Sequence, residues 1–177
     1  MVAATEVLVA AIYYVINMRT NQKMMKTTLE TRQIQILKEL NADISDSPDW
    51  MRHTNNMMNM KWSDYDDYLS KYHSIKDPEG SSYRLRVWRR FNQMGWMVKD
   101  GYVDVETFVK YVGDFPPQLW NKFKDVILQQ RVDFNFPLWM AGLEYLAGEV
   151  DRFRVENGWG LKTEDSSRAR VLGDAGD

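Results

Sequence analysis

Val2-Ala3-Ala4-Thr5-Glu6-Val7-Leu8-Val9-Ala10-Ala11-Ile12-Tyr13-Tyr14-Val15-Ile16-Asn17-Met18 holds no Lys, Arg, Gly or Pro, and its only polar residues are Thr5, Glu6 and Asn17. Nothing here breaks a helix. Seventeen residues rising about 1.5 Å each reach roughly 25 Å, near the lower limit for crossing a hydrocarbon layer of about 30 Å. Glu6 sits one turn from the N-terminus, where it reaches headgroups, and the strictly apolar centre runs from Val7 to Ile16. The expectation is a transmembrane anchor over residues 1–18, carried by Val7, Leu8, Val9, Ile12, Val15 and Ile16, with Tyr13 and Tyr14 toward the inner interface.

The flanks give that helix a direction. Arg19, Lys23 and Lys26 follow the apolar run with no acid before Glu30, whereas Glu6 is the only charge on its N-terminal side. The positive-inside rule then places the C-terminal bulk in the cytoplasm and predicts a single-pass protein of the cell membrane, with these three cations at the headgroups. A cleaved signal peptide wants positive charge before the apolar run and small residues after it, and neither is present. Two competing readings are a short buried or interfacial helix of a soluble protein, and a longer span whose first turn is lost to a misassigned start.

Beyond Met18 the helical pattern continues without a breaker through Leu29, Ile36, Leu37, Leu40 and Ile44, which predicts a stalk over residues 19–46. Exposed Met24, Met25 and Leu29 would allow self-association through it. Ser47-Pro48-Asp49 opens the next helix, and residues 47–160 read as one cytoplasmic helical domain. A second start lies at Ser63 with Asp64, Asp66 and Asp67, followed by Tyr65, Tyr68, Leu69 and Tyr72 at helical spacing. Lys76 to Ser82 reads as a loop, before an amphipathic helix with Leu85, Trp88, Phe91, Gly95 and Val98. Asp104 caps a short helix ended by Gly113, Pro116-Pro117 opens another, and Trp139, Leu143, Leu146, Val150 and Phe153 stripe the last. The polar segment 161–177 has too little apolar content to order itself. No alternating strand pattern appears, so the fold class is all-α: an N-terminal transmembrane helix continuing into a stalk, then a compact multi-helix bundle of six or seven helices.

Composition narrows the chemistry. A length of 177 residues with 44% apolar content suits one globular core, and 23 Lys plus Arg against 25 Asp plus Glu argue against a dedicated nucleic-acid binder. With no Cys and two His, thiol nucleophiles and thiolate metal sites are excluded, and neither a cofactor nor a metal is expected. Lys99 to Glu106 imitates the second half of a calcium loop, but with Gly101 at its sixth position the first and third are Trp96 and Val98, which offer no oxygen ligands. His53 lies four residues after Asp49, the spacing of a local charge pair. The Asp64, Asp66, Asp67 cluster suits helix capping better than paired catalytic carboxylates. Arg84, Arg86, Arg89 and Arg90 form a basic face, from which Arg86, Arg89 and Arg90 would contact headgroups or phosphates, or pair with acids of the bundle.

Val87-Trp88-Arg89-Arg90-Phe91-Asn92-Gln93-Met94-Gly95, Asp100-Gly101-Tyr102-Val103-Asp104, and Trp139 through Glu144-Tyr145-Leu146 stand in an order that resembles a family of small single-span microbial and viral proteins. Their cytoplasmic helical domain has no assigned function. The likeness covers the layout from Val2 to Arg154 and implies the anchor and the all-helical fold. It carries no residue roles.

The expected function is a membrane-tethered cytoplasmic interaction or accessory protein, a small subunit of a membrane complex, with the lipid bilayer and another protein as partners. No catalytic residue is singled out. The alternatives are an enzyme built beside Asp64, Asp67, His53 and the arginine face, or a phosphate- or RNA-binding module through Arg84 to Arg90.

Overall fold

The computed structural model describes residues 2–45 and 49–159, which form seven α-helices and no strand. They are α1 (Val2–Ser45), α2 (Trp50–Met58), α3 (Tyr65–Tyr72), α4 (Pro78–Lys99), α5 (Val105–Val112), α6 (Phe115–Asp133) and α7 (Ala141–Glu156). The all-helical expectation holds. Ser47-Pro48 and the tail 161–177 lie outside the described residues, as do the side chains of Val7, Leu8 and Ile44.

The core is the meeting of α4 with α7, with α6 across α7 and the C-terminal turns of α1 resting on α5 and α4. Val87, Trp88, Phe91 and Met94 recur at helical spacing on α4 and face Leu143, Leu146 and Val150 of α7, with Phe123, Val126 and Ile127 of α6 closing the cluster. Burying each such side chain contributes about 1.5–3 kcal/mol.

Most helix ends are local chemistry. Asp104 accepts the Thr107 N–H at 2.7 Å, Gly113 ends α5 at φ 97°, and Pro116 and Pro117 occupy the first turn of α6. The start of α7 differs: Met140 sits in the left-handed region at φ 54° and supplies no side-chain cap. Asn92 of α4 substitutes, its Oδ1 accepting the N–H groups of Gly142 at 2.8 Å and Leu143 at 3.3 Å.

Several boundaries depart from expectation. Pro78 to Ser82, read as loop, form the first turn of α4, because Asp77 accepts the Gly80 N–H and Pro78 lacks the donor that a first turn leaves unused. The cap of α3 is Asp64 rather than Ser63, whose N–H instead donates to Asp67. Trp139 lies in the turn before α7. Asp49 pairs with Arg52 at 3.1 Å, and His53 stacks on Tyr83 with ring centroids 4.6 Å apart.

The first helix has two parts. From Val9 to Arg32 every side chain is exposed, while Leu37 is 3% exposed and Ile36 and Leu40 pack on the core. The far end of the expected stalk therefore belongs to the bundle, and the exposed length is a rod of roughly 36 Å at 1.5 Å per residue. No helix among the described residues is long and apolar enough to cross a membrane, so the transmembrane part of the expectation lacks support from the helix itself.

Candidate functional site

Three surfaces merit a functional reading, beginning with the rod. Val9 is 62% exposed, Tyr14 68% and Ile16 58%, and Ile12, Tyr13 and Val15 are also exposed. Consecutive helical residues turn by about 100°, so Ile12 through Ile16 cover the full circumference. Such an end has no polar side to keep in water, and one-sided docking leaves half of it wet. Arg19, Lys23 and Lys26 are exposed on the following turns, with Lys26 Nζ 4.0 Å from Glu30.

The arginine face is smaller than expected. Arg84 is 2% exposed: its Nη1 donates to Asp77 Oδ2 at 2.8 Å, its Nη2 to the Tyr72 carbonyl, and its guanidinium lies 5.8 Å and 5.7 Å from the Tyr68 and Tyr72 ring centroids. It is a core cation held by an ion pair. Arg86 and Arg89 are exposed on the outer side of α4, and Arg90 is half-buried.

The third surface is a cleft of about 350 Å³ between α3, α4, the end of α6 and the turn before α7. Tyr65, Tyr68 and Tyr72 form one wall, Phe134 and Trp139 the other, and Arg84 and Trp88 belong to its lining from α4. Tyr65 OH donates to Asp133 Oδ2 at 2.7 Å, and Trp139 Nε1 donates to Gln130 Oε1 at 3.0 Å, so both walls are tied to α6. Burial, then the hydrogen bond to Asp133, push the Tyr65 phenol above its ordinary range. Burial raises Tyr68 as well, against the opposing influence of Arg84. Trp88 is 3% exposed, and its indole N–H has no hydrogen-bond partner. An unmade buried bond of this kind costs about 1–3 kcal/mol.

The enzyme reading draws on Asp64, Asp67 and His53, which stand on different elements, the first two at the start of α3 and the third on α2. Asp64 and Asp67 cap α3, with Lys71 Nζ 2.7 Å from Asp67; that hydrogen bond lowers the Asp67 carboxyl below its usual range. His53 borders a different hollow, between α2 and the start of α4, with Arg52, Asp77, Glu79 and Tyr83. Among the described residues no three His, Asp or Glu side chains are placed to share a metal ion.

Sequence reasoning missed the aromatic cleft. The tyrosines of α3 were legible as a helix stripe, but Asp133, Gln130 and Trp139 lie more than fifty residues away and join them only through packing. The one local signal is aromatic density on α3 beyond what a helix of eight residues needs to dock. No protein-family model, curated protein or solved structure matches this chain.

Proposed function

We propose that the protein is a membrane-tethered interaction protein: the apolar end of α1 inserts in a lipid bilayer as a short span, and the helical domain presents a surface to another protein on the cytoplasmic side. The carrying observation is the exposure of Val9 to Ile16 all round the rod, which no described part of the bundle covers. A helix that is apolar all round belongs in an apolar medium. Its brevity is met by local thinning of the bilayer and by Arg19, Lys23 and Lys26 reaching the headgroups.

Flotation of the full-length protein with phosphatidylcholine vesicles, before and after a carbonate wash, tests this. The expected result is co-flotation that survives carbonate and is lost in an Ile12→Asp, Val15→Asp double variant with unchanged helical content. Release of the wild type by carbonate, or equal flotation of the double variant, overturns the proposal.

A further inference from the structure

We propose that two copies of this chain pair through α1 as a parallel, in-register coiled coil. Leu8, Ala11, Val15, Met18, Gln22, Met25 and Leu29 follow one another at alternating steps of three and four residues, the a and d positions of a heptad repeat. Such a run keeps one narrow seam pointing the same way along the rod. From Ala11 to Leu29 each of these side chains is exposed, and no described part of the bundle covers them. Between Arg19 and Thr31 every residue off the seam is polar except Met24, so past the apolar end the rod gathers its apolar surface there.

The seam's own residues argue for a second copy as its occupant. Gln22 is the polar residue among the a positions Leu8, Val15, Gln22 and Leu29, and across a two-fold axis its amide meets the same amide, donor to acceptor, when the helices are in register. The flanks set the direction. Arg19 and Lys26 stand at e, while Tyr14, Asn21 and Thr28 stand at g. Parallel pairing sets g against e of the other copy, so Arg19 meets the Tyr14 ring and Lys26 the Asn21 amide. Antiparallel pairing sets e against e and brings Arg19 up to Lys26, a repulsion that Glu30, 4.0 Å from Lys26 at the surface, offsets weakly. Arg32 then puts a charge at d and closes the seam, and Ile36, Leu37 and Leu40 turn to the helix's own bundle. Leu37 and Leu40 fall at b and e, so each domain lies to one flank of the seam, and a two-fold axis along the rods sets the two domains on opposite flanks. This pairing needs no bilayer.

The chain has no cysteine, so single cysteines report which face of α1 meets the other copy. Met18→Cys, Gln22→Cys, Met25→Cys and Leu29→Cys on the seam, with Lys23→Cys and Thr27→Cys off it, are made in the full-length protein. Each is oxidised with copper phenanthroline, on phosphatidylcholine vesicles and in buffer. The expected result is a disulfide-linked dimer at all four seam positions and little at the two controls. Adding Met25→Glu and Leu29→Glu to Met18→Cys should abolish its link while leaving flotation with vesicles unchanged, because both residues lie beyond the apolar end. Pairing and membrane insertion therefore fail separately, and if the chain does not float the buffer arm decides alone. Linking confined to Gln22 and Met25, at the middle of the rod, marks antiparallel pairing and overturns the proposal. So does linking no greater on the seam than at Lys23 and Thr27, or a Met18 link that survives the two glutamates.

Discussion

Gly95 of α4 and Gly142 of α7 meet with no room for a side chain: a Cβ on Gly95 would stand 1.8 Å from the Gly142 carbonyl oxygen. One on Gly142 would stand 2.2 Å from the Asn92 carbonyl oxygen. Both obstacles are backbone, so the helices themselves must part to admit a methyl group. Gly95→Ala and Gly142→Ala are each expected to destabilise the fold by about 2–3 kcal/mol in urea denaturation, overpacking outweighing the gain in helix propensity. Gly148, on the same α7 but with nothing within 4 Å of its would-be Cβ, is the control. Gly148→Ala should stabilise by about 0.4–1 kcal/mol.

Asp77 has two duties, capping α4 through the Gly80 N–H and neutralising buried Arg84. Asp77→Ala removes both and strands a cation in the core, so a loss of about 3–5 kcal/mol is expected. Arg84→Met removes the buried charge along with its need for a partner, and should cost less. Equilibrium unfolding of the two variants checks the order, and a larger loss for Arg84→Met would contradict this account.

The raised Tyr65 phenol links stability to alkaline pH. Its folded pKa exceeds the ordinary value of 10.0, so its contribution is fully present below pH 10 and is lost as pH rises toward the folded value. Tyr68 and Tyr83 are shifted the same way by burial. Stability should therefore fall above pH 10, and Tyr65→Phe should fall less steeply, as read by the denaturation midpoint at successive pH values.

Deleting residues 1–32 removes only exposed side chains among those described, from Val9 to Arg32. The remaining chain should keep its thermal midpoint within the shift expected of about 0.5 kcal/mol, the range of surface substitutions. Leu37→Ala, by contrast, empties a core position and should cost about 2–5 kcal/mol. Calorimetry on both distinguishes a projecting rod from a structural one.

The sequence by itself determined the helical class and most helix ends. Asp104, Gly113 and Pro116-Pro117 act within one turn of their own position, and the stripes on α4, α6 and α7 repeat at helical spacing whatever they pack against. It also marked Val7 to Ile16, near the start of α1, as a strictly apolar run. Only the tertiary structure decided that Arg84 leaves the arginine face for the core, that Asn92 caps a helix fifty residues away, and that the α3 tyrosines face Trp139 across a cleft. The physical reason is range: caps and turns are settled by a few neighbouring dihedrals, whereas burial of a charge and assembly of a cleft depend on which helices come to lie side by side.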